Sequence, residues 1–275
     1  MTSHFHETHR AFVNTWECDE NVHMNVQFYL KRFDEAARFF AWESSGADLL
    51  TALPPTRHVR FHSELRVAQS TVIGSTTIAD GAYAGWTVHE MRENGTGRLC
   101  ATALDAPGAF GGPSTVGSDA IAHALPRSVS AAPAQPFSAH AMLENGAFIA
   151  HRCLLSPNEC DATGNMLQQF YVARFTDGAP HVWDHFGIGT KWLNENGLGR
   201  VAVELKLTHH QPARAGDGLI LFSRALPGSG KTVRLHHELV RAGDHVAIAT
   251  GEVVALVMDL QTRKSVPLPE TALME

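Results

Sequence analysis

The stretch ECDENVHMNVQFYLKRF, residues 17–33, is echoed by ECDATGNMLQQFYVARF, residues 159–175. Glu17, Cys18, Asp19, Met24, Gln27, Phe28, Tyr29, Arg32 and Phe33 each recur 142 positions later, as Glu159, Cys160, Asp161, Met166, Gln169, Phe170, Tyr171, Arg174 and Phe175. Nine identities at one offset inside seventeen residues do not arise by chance. The chain is two copies of one unit, and a repeat of this kind settles the architecture before any local reading. A site built from the word exists twice, with differences that can be read.

Composition agrees with two ordinary domains in 275 residues. The chain is 44% hydrophobic and 18% charged, as expected of a globular protein able to bury a full core. Its net charge of −6 argues against a nucleic-acid partner, which calls for basic surface. No apolar run approaches the ~18 residues of a membrane span, and the N-terminal MTSHFHETHR has no signal-peptide core. No membrane partner and a cytoplasmic location are therefore expected. Cys18, Cys100, Cys153 and Cys160 form no CxxC pair, as expected of reduced thiols.

Along the first half, a short apolar segment (11–16) precedes the word. From Asn25 to about Glu43 there is no Gly or Pro, and Tyr29, Phe33, Ala36 and Phe40 recur at helical spacing. Val59, Phe61, Leu65 and Val67 then alternate with Arg60, His62, Glu64 and Arg66, which predicts a strand. Further strands are predicted over 71–79, 83–92 and 98–104, with turn signals at Asp80-Gly81 and Asn94-Gly95. Residues 107–146 are rich in Ala, Pro, Gly and Ser and read as a linker, with one short helix near 118–124. The second half repeats the order, with a strand over 148–155, a helix over 166–186, and strands near 201–207, 219–225, 232–241 and 245–258. The expected division is 1–106, a linker, and 147–275. Each unit is α+β, with an antiparallel sheet wrapping one helix.

Strand, Asp-bearing loop, long helix and antiparallel sheet is the layout of the hot-dog fold. Asp19-Glu20-Asn21-Val22-His23-Met24-Asn25, followed by Phe28-Tyr29 and Arg32-Phe33-Asp34, resembles the acyl-CoA thioesterases of the 4-hydroxybenzoyl-CoA thioesterase group. It is similar too to the Asp-x-Asn-x-His-x-Asn stretch of plant acyl-carrier-protein thioesterases. The tail from Met258 to Pro269 is similar to the end of hot-dog domains in that group. The resemblance implies a tandem hot-dog whose halves pair within one chain, an acyl-CoA substrate, no metal or redox cofactor, and a homodimer of the two-unit chain.

Thioester hydrolysis needs a group to activate water or attack the carbonyl, and a donor for the developing oxyanion. By the resemblance, Asp19 is the base or nucleophile, with Asn21 and His23 positioning water or substrate. An Asp before a helix can also be only a cap. Backbone N–H groups of the first helical turn, through Asn25, Val26 and Gln27, can polarise the thioester oxygen. Glu64 matches a catalytic or water-orienting Glu of some thioesterases of this fold; a solvent-facing strand carboxylate beside Arg66 is the other reading. In the second half Asp161 is kept, but Thr163 stands for Asn21 and Asn165 for His23. The partner of Glu64 falls at Gln211 or Pro212, neither a carboxylate. One competent site at Asp19 and a weaker one at Asp161, with Thr163 and Asn165 as substrate contacts, are expected. Val22 stands where such motifs often carry Gly, while the second half has Gly164 there.

Other motifs are weaker. Gly228-Ser229-Gly230-Lys231-Thr232 ends like a P-loop, but an alternating strand pattern follows instead of a helix. His4, His6 and His9 lack partners at metal-ligand spacing and read as a polar end. No Gly-x-Ser-x-Gly elbow occurs. Lys31, Arg32, Arg57 and Arg60 are candidates for coenzyme A phosphates, or plain exposed charges. Two rival functions remain: a hot-dog hydratase or dehydratase, and a non-catalytic acyl-CoA binder.

Overall fold

The structure, a computed structural model, describes residues 4–49, 54–108, 115–228 and 231–269. It divides into two compact units, 1–133 and 134–275.

The first unit runs β1 (His6–Phe12), α1 (Val26–Ser45), β2 (Thr56–Phe61), β3 (Ser70–Ile78), β4 (Thr87–Glu93), β5 (Leu99–Asp105) and β6 (Thr115–Val116). Its sheet order is β1-β3-β4-β5-β2, antiparallel throughout, with β6 added parallel to β3. The second unit runs α2 (Ala139–Glu144), β7 (Phe148–Leu154), α3 (Gln168–His185), α4 (Thr190–Asn196), β8 (Leu198–His209), β9 (Gly218–Pro227), β10 (Thr232–Arg241), β11 (Ala247–Asp259) and β12 (Ser265–Val266). Its order, β7-β9-β10-β11-β8, repeats the first, with β12 added to β11.

Helix α1 forms because apolar residues recur every three or four positions over a Gly- and Pro-free run, and Asn25 caps its start. Gly46, left-handed at φ +68°, ends it. Leu30, Phe33, Ala36, Ala37 and Phe40 are fully buried. Each large side chain among them contributes about 1.5–3 kcal/mol by leaving water. Helix α3 lies close against its sheet: a Cβ at Gly178 would come within 2.5 Å of Leu221 and one at Gly251 within 2.4 Å of the Phe175 ring.

Several sequence expectations change. The polar N-terminal stretch is edge strand β1, not a loose end. His6 and His9 meet the carboxylates of Glu43 and Glu35 on α1, the latter at 3.0 Å. The strand expected over 59–67 stops at Phe61: His62 and Ser63 both donate to the Cys100 carbonyl, and the chain turns toward the start of α1. Glu64 therefore sits in a loop. Residues 107–146 divide between the units. Val116, Ile121 and Ala124 pack on Ile78, Val88 and Leu104, while Met142 packs on Phe222 and Val240. Helix α4 had no sequence signal. The repeat offset, 142 through the helix, becomes 148 in the sheet, since Met24 N–H donates to Leu65 O and Met166 N–H to Ala213 O. The six extra residues lie between α3 and β8, where α4 is inserted.

Candidate functional site

The repeated word is first a structural device. Glu17 accepts from the Asn14 N–H at 2.8 Å and pairs with buried Arg32 at 2.7 Å. Glu159 does the same with the Ser156 N–H at 2.9 Å and with Arg174 at 2.5 Å. Cys18 bridges Met24 and Cys160 bridges Met166, closing each loop into a narrow hairpin. The Tyr29 hydroxyl accepts from the Leu65 N–H at 3.1 Å, which ties the Glu64 loop to the helix.

Within that frame, Asp19 Oδ1 accepts from the N–H groups of Asn21 (2.9 Å) and His23 (3.1 Å), and its own N–H donates to the His23 carbonyl at 2.8 Å. Asp19 is thus not a cap of α1, which Asn25 caps. Oδ2 of Asp19 has no hydrogen-bond partner among the described residues. Burial raises the Asp19 pKa above the ordinary aspartate value, although the two N–H donors oppose it. His23 is buried, and its Nε2 lies 3.2 Å from Glu64 Oε2. The loop after β2 therefore delivers Glu64 to the hairpin that holds Asp19. Glu64 is a half-buried partner of His23, not a strand carboxylate facing solvent.

The helix start is more selective than the sequence suggested. Met24 N–H bonds Leu65 O, Asn25 N–H bonds Glu17 O, and Gln27 N–H bonds the Asn25 side chain at 3.1 Å. Of these four amides only Val26 N–H has no acceptor among the described residues. Asn25 is the cap that occupies Gln27 N–H, which leaves the Val26 amide open at the helix start among the described residues.

The second unit keeps the hairpin and changes its polar atoms. Asp161 Oδ1 accepts from Thr163 N–H (2.8 Å), Thr163 Oγ1 (2.7 Å) and Asn165 N–H (3.1 Å), and Asn165 Nδ2 donates to Thr163 Oγ1 at 2.8 Å. Thr163 Oγ1 and Asn165 Nδ2 are thus spent inside the loop. The 148 offset pairs Glu64 with Pro212, so the second unit has no counterpart of the carboxylate that meets His23. Leu167 replaces the capping Asn25.

Of the four cations considered for phosphate, none is open. Lys31 pairs with Glu35, Arg32 with Glu17 and Arg57 with Asp105, while Arg60 donates to the carbonyls of His123 and Leu125. The turn at Gly228–Thr232 joins β9 to β10 as a hairpin, its residues 229–230 lying outside the described residues.

A polar row went unnoticed in the sequence. Thr8, Ser75, His89, Asp105 and Arg57 come one each from β1, β3, β4, β5 and β2. They are linked in that order: Thr8 Oγ1 to Ser75 Oγ at 2.7 Å, Ser75 Oγ to His89 Nδ1 at 2.6 Å, and His89 Nε2 to Asp105 Oδ2 at 3.2 Å. Arg57 then grips Asp105 through two bonds. The second unit keeps only Ser223 Oγ to His237 Nδ1, at 2.7 Å, with Phe175 stacked on the imidazole. Ser75, His89 and Asp105 are wholly buried, so they hold the sheet together and do not form a nucleophile triad open to substrate. The common offset of 148 was a signal for Ser75 and His89, which recur as Ser223 and His237, but not for Arg57 and Asp105, which become Leu205 and Val253.

Comparison with known proteins agrees with this layout. A family model described as the thioesterase-like superfamily matches residues 13–110 and 155–274, once in each unit. A curated L-carnitine dehydrogenase/betainyl-CoA thioesterase from Agrobacterium fabrum is 26% identical over 119 residues, 43% of this chain. The chain spans only 24% of that relative's length. Two solved structures share the fold over 91% of this chain. An acyl-ACP thioesterase from Bacteroides thetaiotaomicron matches over 97% of its own length, with TM-score 0.60 and 10% identity. A 12:0-ACP thioesterase from Umbellularia californica matches over 93%, with TM-score 0.58 and 12% identity. The two α+β units are hot-dog domains in tandem, and the chain belongs to the thioesterase-like superfamily.

Proposed function

We propose that the protein hydrolyses an acyl-CoA thioester to the free acid and coenzyme A, through the site around Asp19. The observation that supports this reading is that the hairpin and helix start carry three groups: Asp19 Oδ2 and Val26 N–H, neither with a partner among the described residues, and the His23–Glu64 pair. Asp19 Oδ2 takes a proton from water as the water oxygen bonds to the thioester carbon. The carbonyl oxygen, becoming an oxyanion, accepts from Val26 N–H with the helix dipole behind it. Collapse breaks the C–S bond, and the thiolate leaves with a proton from His23, whose ring Glu64 orients. Asn21 lines the loop beside the attacking water. No metal or redox cofactor enters this sequence.

The Asp161 site keeps the carboxylate but lacks the His–Glu pair, so it is the slower or specialised one. Assay of free-thiol release across short, long, aromatic and cationic acyl-CoA esters tests the reading. Hydrolysis of at least one class is expected. Failure with every class, together with tight ester binding, would favour the binder; hydration of an enoyl ester would favour the hydratase.

A further inference from the structure

Besides the buried Arg32 and Arg174, both units keep an exposed cation beside the loop while its neighbours change. His23 pairs across an antiparallel bridge with Arg66, and Asn165 pairs in the same way with Arg214. Each arginine opens the same tight turn. Arg66 N–H donates to Gln69 Oε1 at 2.7 Å and Gln69 N–H to the Arg66 carbonyl at 3.2 Å. Arg214 N–H donates to Asp217 Oδ2 at 2.8 Å and Asp217 N–H to the Arg214 carbonyl at 2.9 Å. All these bonds use the arginine backbone, so the turn would accept another residue and nothing in it requires a guanidinium.

Both arginines are exposed, and neither guanidinium has a partner among the described residues. That sets Arg66 apart from Lys31, Arg32, Arg38, Arg57 and Arg92, each spent on a carboxylate. The duplication has replaced Asn21, His23, Asn25 and Glu64 by Thr163, Asn165, Leu167 and Pro212, yet left the arginine in place. In the first unit a second exposed cation, Arg98, donates to the Glu64 carbonyl at 3.1 Å and adds positive charge to the same loop. An unneutralised arginine fixed beside a buried acid–base pair suits a ligand whose reacting end enters the loop and whose anionic end stays outside. A guanidinium meets phosphate oxygens through paired N–H donors.

We propose that Arg66 and Arg214 each bind a phosphate of the thiol carrier, the 4′-phosphate that coenzyme A shares with the phosphopantetheine arm of a carrier protein. The second unit thereby still holds carrier although its acid–base set is reduced. This rests on the thioesterase reading above, but its test needs no hydrolysis.

Calorimetric titration of the whole chain with free coenzyme A should give two molecules bound per chain. Arg66→Ala and Arg214→Ala should each weaken one of them at least about tenfold, with Arg66→Lys intermediate. Melting temperatures should stay at the wild-type value, because the guanidinium holds nothing in the fold. Pantetheine, which lacks phosphate, should bind wild type and variants alike. If 4′-phosphopantetheine matches coenzyme A, a protein-borne arm is the source; if coenzyme A binds far more tightly, the free nucleotide thiol is, and both results support phosphate recognition. One coenzyme A per chain, or variants that bind it as wild type does, would overturn the proposal.

Discussion

Nε2 of His23 and Oε2 of Glu64 stand 3.2 Å apart, one carried by the hairpin before α1 and the other by the loop after β2. The pair exists only because the Leu65 carbonyl and N–H are both tied to the helix start, by Met24 and Tyr29. Glu64→Gln keeps the shape and removes the charge beside the imidazole. It should lower kcat by roughly 10–100-fold with a smaller change in KM, since proton transfer by a positioned side chain is worth about that much or more. A variant with wild-type kcat would return Glu64 to the role of a surface carboxylate.

Asparagine in place of either loop aspartate can still accept from the backbone N–H groups through its own Oδ1. Substitution therefore separates chemistry from loop structure. Asp19→Asn should cut kcat/KM by at least about 10²-fold, and Asp161→Asn by less than about threefold. Steady-state kinetics on one good substrate decides it, and equal losses would mean that both hairpins turn over.

Burial holds Asp19 above the ordinary aspartate pKa. The proposed mechanism uses its ionised form, so activity should be lost as pH falls through that raised value. The acid limb of the kcat/KM profile should lie above the ~3.9 of a free aspartate. A limb at or below that point would show the two N–H donors outweighing desolvation.

Much of this was legible because the word is local. Glu17, Asp19, Met24, Tyr29 and Arg32 lie within a few turns of one another in sequence, and two copies displayed which of them the scaffold requires. The Asp–Asn–His spacing named the hairpin. What stayed hidden depends on residues far apart. Ser75, His89, Asp105 and Arg57 sit on four strands, each looking like an ordinary strand polar residue until the sheet order lines them up. The end of β2 was missed because Leu65 is buried like a strand residue while its backbone bonds go to the helix start. The shift of offset to 148 hid the counterpart of Glu64 behind a short inserted helix.

Asp105 is wholly buried, with Arg57 holding its pKa down to about 2. A depressed carboxylate contributes stability above its unfolded pKa and loses it as pH falls through the folded one. The first unit should therefore weaken between about pH 4 and pH 2. Asp105→Asn removes the carboxylate that grips buried Arg57 through two bonds, leaving Asp34 as its neighbouring acid, and should cost about 3–5 kcal/mol. Arg57→Leu with Asp105→Val installs the residues that the second unit carries at Leu205 and Val253, and should cost much less than Asp105→Asn alone. Denaturant titration of the three proteins tests this, and a double variant as unstable as the single one would refute the pair-breaking account.

Val22 holds φ +60°, a left-handed conformation that a β-branched residue resists, whereas Gly164 sits at φ +81° in the matching place without strain. The conformation is imposed by bonds on both sides, from Val22 N–H to the Asp19 carbonyl and from His23 N–H to Asp19 Oδ1. Strain of about 1–2 kcal/mol is therefore stored within the Asp19 hairpin. Val22→Gly should release it and offset the glycine's greater unfolded-state freedom, leaving the protein stabilised by up to about 1 kcal/mol. Gly164→Val should lose about 1–2 kcal/mol by the same physics. Val22 is also exposed, so its replacement removes little buried surface and the melting temperature reads the backbone effect directly. If Val22→Gly raises stability but lowers kcat, the strained turn is helping to aim the Asn21 and His23 amides at Asp19. If both quantities fall, the valine is making a contact outside the hairpin and the strain account fails.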